Sequence, residues 1–225
     1  MTRSQIRNMA ISRGKFTNST NLTDDFNSDI QEGIDAIAGM ADFNELMATD
    51  TLTLALADGD TTYSLNTNCD KVEQMRITSP TSYAMVIPEI DKKFIRTLKP
   101  VKSILGTASP SNWYYSEPTI SNAGVETKKV SFDVMPDQAY TVTYSYKGYP
   151  PTLDSDADYP FFNPRYHRIL VNYVVWKYSE RNPDATRNPV YYKNEWEQGL
   201  AELLANGVEQ STMELPVPSV RQWLP

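Results

Sequence analysis

Phe26, Ile30, Ile34, Ile37 and Ala41 recur at helical spacing, which places them on one face of a helix. Thr23 is positioned to cap that helix, Asp24 and Asp25 suit the positive end of its dipole, and the pattern carries it to Leu46 or Met47. Gly33 and Gly39 fall inside it. Each costs about 1 kcal/mol relative to Ala, so a close neighbour or a bend is expected there. A shorter helix is predicted over residues 4–13, with Ile6, Met9 and Ala10 on one side and Gly14 at its stop.

The period changes at Thr51. Leu52, Leu54 and Leu56 alternate with Thr53 and Ala55, Asp58-Gly59-Asp60 offers a turn, and Tyr63 and Leu65 follow, so residues 51–65 read as a hairpin. Further strands are predicted over 72–78, 83–87, 112–115, 129–134 and 140–146, the last alternating as Tyr140, Val142, Tyr144 and Tyr146. Short strands punctuated by Pro, Gly, Asn and Ser predict a small antiparallel sandwich or barrel over about residues 51–150.

Helical spacing returns at Asn163-Pro164, a capping residue followed by Pro at the first helical position. Tyr166, Ile169, Leu170, Tyr173 and Trp176 line one face, and Val171, Val174, Val175 and Tyr178 widen it. Asn182-Pro183 ends this helix, and Asn188-Pro189 starts another that carries Tyr192, Trp196, Leu200, Leu203 and Leu204 to Asn206-Gly207. The order of elements predicts an α+β fold. Residues 1–50 and 151–207 form a helical bundle, a β domain of residues 51–150 is inserted into it, and residues 208–225 form an extended C-terminal arm.

A helix apolar on several sides needs more neighbours than two other helices of a small subunit supply. Tyr166, Arg168, Tyr173, Trp176 and Tyr178 are therefore expected at an interface. In the arm, Pro216, Pro218 and Pro225 favour an extended chain. Its Met213, Leu215, Val217, Val220 and Trp223 show no helical period and are expected to anchor it in a neighbour's groove.

Composition narrows the function. Of 225 residues 40% are hydrophobic and 22% charged, as in folded proteins, while 14 Tyr and 4 Trp suit surfaces half-buried against partners. A formal charge of −7 disfavours binding to nucleic acid. Cys69 is the only cysteine, which excludes an internal disulfide and a Cys-rich zinc site. The first residues carry no apolar signal segment, and the apolar run from Ile169 to Trp176 is too short to cross a membrane.

Candidate chemistry is sparse. The one histidine, His167, lies in the first turn of a helix, where a positive charge is disfavoured, so we expect it to pack or to hydrogen-bond rather than to catalyse. Asp154, Asp156 and Asp158 alternate as in a calcium loop, but Tyr159 and Arg165 stand where Gly and Glu would be needed. They are expected to be solvated, with Asp158 close enough to a helix start to favour it. No phosphate-cradling glycine motif is present. Lys92-Lys93, Lys99, Lys102 and Lys128-Lys129 are expected to guard strand edges. Trp113-Tyr114-Tyr115 suits either a β core or a sugar-stacking platform. No enzyme activity and no cofactor is expected.

Three stretches carry a resemblance. Leu52 to Leu65 resembles the entry into the β domain of the head-to-tail adaptors of tailed phages, including the tail tubular protein A group of short-tailed phages, although Asn66 stands where Pro often follows. Met135-Pro136-Asp137 and the strand to Tyr146 are similar to that family's Pro-Asp turn and exit strand, and Asp158 to Val171 resembles its return to the helical body. The resemblance implies a structural virion protein of the neck, made in the host cytoplasm. It implies a ring of identical subunits, typically twelve, with the helical part against the portal protein and the β part toward the tail nozzle protein. DNA would pass through the channel unbound, and a tail fibre is a further potential partner. The alternatives are another neck or tail-completion protein and a carbohydrate-binding module built on Trp113, Tyr114 and Tyr115.

Overall fold

A computed structural model describes residues 1–16, 20–55, 62–91, 107–120, 126–183 and 188–206. The chain divides into two compact units, one made of Met1–Glu45 with Pro150–Pro225 and the other of Leu46–Tyr149.

The first unit is helical. Helix α1 (Arg3–Gly14) starts in a capping box, in which the Thr2 hydroxyl accepts from the Gln5 N–H and the Gln5 side chain accepts from the Thr2 N–H. Sequence placed its stop at Gly14, but the left-handed residue is Lys15, at φ 51°. Gly14 is needed for space instead, because a Cβ there would run into the Phe16 ring. Helix α2 (Thr20–Met40) is already under way at Thr23, which therefore does not cap it. Its stripe of Phe26, Ile30, Ile34 and Ile37 is fully buried. The helix ends short of Leu46 because a 3-10 turn (Asn44–Leu46) leads straight into strand β1 (Met47–Leu54).

The helix expected from Asn163 is split. Asn163 accepts from the Arg165 N–H at 3.0 Å, a 3-10 turn spans Pro164–Tyr166, and helix α3 runs over Arg168–Arg181. Helix α4 follows over Pro189–Asn206. Helix α3 packs against α1, α2 and α4. Three helices of the same subunit thus pack on it and bury Ile169, Leu170, Val171, Tyr173, Val174 and Val175, while Trp176 and Tyr178 stay half-buried.

The second unit is β. Beyond β1 its strands are β2 (Thr62–Ser64), β3 (Cys69–Ser79), β4 (Val86–Ile87), β5 (Thr107–Ala108), β6 (Trp113–Tyr115), β7 (Thr119–Ile120), β8 (Glu126–Thr127), β9 (Lys129–Phe132), β10 (Met135–Pro136) and β11 (Tyr140–Gly148). A four-stranded sheet has the order β1-β11-β3-β4 and a three-stranded one β2-β9-β6, both antiparallel, with two-stranded pairs β10-β5 and β7-β8 besides.

The expected hairpin over residues 51–65 does not form. Strand β1 pairs along its whole length with β11, from Met47↔Lys147 to Leu54↔Tyr140, while β2 pairs with β9. Alternation gives the face of a strand but not its partner. The Asp58-Gly59-Asp60 turn lies outside the described residues. Leu54, Met75, Ile77 and Val142 from the larger sheet share one apolar core with Trp113, Val130 and Phe132 from the smaller. Tyr144 enters that core because its hydroxyl stays satisfied: it accepts from the Asn66 N–H at 2.9 Å and donates to Asp50 at 3.3 Å.

Candidate interaction surface

The residues expected at an interface on α3 separate by environment. Tyr166 and Tyr173 are buried in their own unit. The Tyr173 ring lies 4.6 Å from that of Trp196, and its hydroxyl donates to Glu32 at 2.8 Å, so it is committed to holding α2, α3 and α4 together. Burial pushes the Tyr173 hydroxyl pKa up, and Lys177, donating at 2.7 Å, helps hold Glu32 below its ordinary range. Tyr178 is half-buried, edge-on to Phe16 and Phe26. Trp176 is half-buried with Lys177 and Lys193 each 5.5 Å from its ring, and its Nε1 is buried without a hydrogen-bond partner among the described residues. Arg168 is exposed. Met213, Leu215, Val217, Val220 and Trp223 lie outside the described residues.

His167 is fully buried, and backbone atoms occupy both of its ring nitrogens. Nε2 lies 2.8 Å from the Phe162 carbonyl, and Nδ1 lies 2.8 Å from the Met1 nitrogen. A neutral ring with hydrogen on Nε2 satisfies both contacts, and burial lowers its pKa.

The loop carboxylates do more than face water. Asp156 receives two hydrogen bonds from Arg7, both at 2.8 Å, and one from Arg3 at 3.1 Å. These hydrogen bonds, Arg7's first, hold its carboxyl down to about 2. The backbone carbonyls of Asp158 and Asp156 accept the Arg3 and Ser4 N–H groups at the start of α1. Asp158 itself caps a local turn, accepting from the Ser155 N–H at 2.7 Å. This clasp was not visible from the sequence around Asp156, since its partners lie at the other end of the chain.

In the β unit, Trp113 and Tyr114 are buried, and the half-buried Tyr115 hydroxyl accepts the Val72 N–H at 2.8 Å. Two of the three rings of a sugar-stacking platform are therefore spent in the core. Cys69 is buried, and that burial pushes its thiol up to about 11. Lys128 is engaged by Asp70 and lies 5.5 Å from the Tyr149 ring centroid, while Lys92, Lys93, Lys99 and Lys102 lie outside the described residues. Among the described residues no three His, Cys, Asp or Glu side chains are grouped to hold a metal ion, and no helix is long and apolar enough to cross a membrane.

What the sequence reading missed is apolar surface. The helical unit exposes Met40, Tyr159, Val190 and Tyr191, and the β unit exposes Tyr83, Met85, Val86 and Ile120, the last at 71%. The unbroken run Val190-Tyr191-Tyr192 at the start of α4 was a signal, because three large residues in succession cannot all share one helical face.

Between α3 and α4 lies a cleft of about 360 Å³, lined by Arg165, Arg168 and Asn172 on one side and by Glu195, Gln198 and Glu202 on the other. The helices meet closely beside it, because a Cβ at Gly199 would stand 2.9 Å from Ile169 Cγ1.

The family model of the SU10 adaptor protein matches residues 1–220. No curated protein matches the chain.

Proposed function

The chain belongs to the SU10 adaptor protein family, which makes it a phage adaptor and a component of the virion, and on that footing we propose that it is a head-to-tail adaptor of the tail tubular protein A kind. It closes into a ring beneath the portal protein and connects that ring to the tail nozzle protein, around a channel through which DNA passes. The helical bundle faces the portal, and the inserted β unit, a small sandwich, faces the tail. Twelve subunits would match a dodecameric portal, and the protein acts by binding, without catalysis.

The observation that carries this reading is the family match over residues 1–220, which spans both units. Exposed Met40, Tyr159, Val190 and Tyr191 support it, since large apolar side chains in water are a standing cost that a neighbouring subunit or partner would relieve. The charge of −7 suits a conduit that passes DNA without holding it. A carbohydrate-binding role is disfavoured by the burial of Trp113 and Tyr114. Gold-labelled antibody against the protein should mark intact particles at the head–tail junction. Label spread over the capsid faces or along the distal tail would refute the placement.

A further inference from the structure

Strand β1 stands at one end of the four-stranded sheet and pairs there with β11 alone. Thr141 of β11 turns its carbonyl toward β3, where Thr78 Oγ1 donates to it at 3.2 Å. Backbone groups alternate along a strand, so Tyr140, Val142, Tyr144 and Tyr146 turn theirs to β1 and bond with Leu54, Leu52, Asp50 and Ala48. The N–H and C=O groups of Thr49, Thr51 and Thr53 are left facing out of the sheet. Thr51 agrees with this phase, because Asp50 Oδ1 and not β11 accepts its N–H, at 2.7 Å. No other backbone hydrogen bond reaches β1 from outside the sheet among the described residues, and Thr49, Thr51 and Thr53 are exposed.

An open edge is a template for a further strand, and proteins commonly guard one with Lys, Pro or a bulge. Strand β1 has neither residue, and its register on β11 is unbroken over 8 residues. Its one guard is Asp50, which holds the Thr51 N–H in the middle of the edge. That guard works against a second β1. Two such strands pairing about Thr51 would lose both central hydrogen bonds to Asp50, and pairing about Asp50 would set two carboxylates opposite each other. The edge suits a strand of different sequence.

The chain carries one. Met213, Leu215 and Val217 alternate with Glu214, Pro216 and Pro218. Proline has no N–H, so a strand with prolines at alternate positions pairs along one edge only, through the residues between them. Such a strand closes a sheet where another would extend it. Helix α4 ends at Asn206, and residues 207–218 extended at about 3.3 Å each would reach about 40 Å, more than the width of a small domain at about 30 Å.

We propose that residues 213–218 of one copy add to β1 of the next as a strand, with the backbone of Met213, Leu215 and Val217 turned to Thr49, Thr51 and Thr53 and the nitrogens of Pro216 and Pro218 turned away. A head-to-tail contact of this kind links identical subunits into a closed ring. That the host is a second copy rests on the ring proposed above; the pairing chemistry does not.

The test is hydrogen exchange of the full-length protein at micromolar and millimolar concentration, with the Thr49 and Thr53 amides read by residue-level mass spectrometry. In the wild type these amides should exchange at least about tenfold more slowly at the higher concentration. Leu215→Pro removes an N–H turned to β1 and should abolish the slowing, whereas Pro216→Ala adds one on the far side and should keep it. Equal slowing in Leu215→Pro would mean that β1 edges pair with each other, and slowing independent of concentration would place the strand within its own copy. Either result, or no slowing in the wild type, would overturn the proposal. Incorporation into particles tests the adaptor reading separately: wild-type protein that shows the slowing but is absent from particles sinks that reading alone.

Discussion

Asp29 on α2 accepts both terminal nitrogens of Arg181 at the end of α3, at 2.7 and 2.6 Å. Asp29 is almost fully buried and its partner is about half exposed. Burial is the largest cause raising the Asp29 pKa, Glu32 and Asp25 add to it and Arg181 opposes it, so the carboxyl stays above its ordinary range even with its partner in place. Arg181→Met, which strands the carboxylate, is expected to destabilise the helical unit by about 3 kcal/mol, and Asp29→Leu with Arg181→Met to restore stability to within about 1 kcal/mol. Denaturant melts followed by the helical signal decide it; a double variant as weak as Arg181→Met would show the pair to be net stabilising.

Two glycines of α2 should respond to Ala in opposite directions. A Cβ at Gly33 would stand 2.9 Å from Leu170 and 3.0 Å from the Tyr173 ring, whereas one at Gly39 meets nothing within 4 Å among the described residues. Gly33→Ala should therefore destabilise by about 1 kcal/mol or more, as overlap outweighs propensity. Gly39→Ala should stabilise by a few tenths to about 1 kcal/mol, less if the last turn frays. Melting curves with the same sign for both would contradict the packing of α2 on α3.

His167 should give the protein a pH dependence of its own. Its pKa is lowered below the ordinary 6.5 by burial, so below pH 6.5 the unfolded chain binds a proton that the native chain refuses. Stability is complete above that value and falls as pH drops, by at most about 1.4 kcal/mol per pH unit, until the native ring also titrates. As the sequence holds one histidine, His167→Gln should flatten stability between the carboxylate range and pH 6.5. A wild-type protein equally stable at pH 5 and pH 7 would contradict the buried, neutral ring.

The Asp156 clasp should fail at a lower pH. Its carboxyl is held down to about 2 from an ordinary 3.8, so its contribution is present above 3.8 and is lost as pH falls toward 2. Asp156 is more than half exposed, which limits the loss to about 1 kcal/mol or less. Asp156→Asn should speed hydrogen exchange at the Arg3 and Ser4 amides while leaving the β unit unchanged. Unaltered exchange there would mean that the backbone contacts alone hold α1.

Local period made the stripe Phe26, Ile30, Ile34 and Ile37 legible, and the alternation from Tyr140 to Tyr146 legible as a strand, because both depend on neighbours a few residues away. Partners distant in sequence were not legible. The pairing of Leu54 with Tyr140 replaced a hairpin that local turn chemistry favoured, and Asp156 looked solvated because Arg3 and Arg7 lie at the far end of the sequence. An apolar helix face shows that it must be covered but not by which chain, and Tyr166 and Tyr173 are buried within their own unit, where α3 packs on α1, α2 and α4. Arg168 was singled out from sequence, but the burial of Asn172, which lines the same cleft, became visible only in the folded unit.

The placement of the subunit in the neck is tested most directly by electron microscopy of purified portal rings mixed with the full-length protein. The account predicts a second ring of density on one face of the portal, with subunits matching the portal's in number, formed by a protein that alone is a monomer or a weak oligomer. Portal rings left unchanged beside a protein that stays monomeric would contradict it.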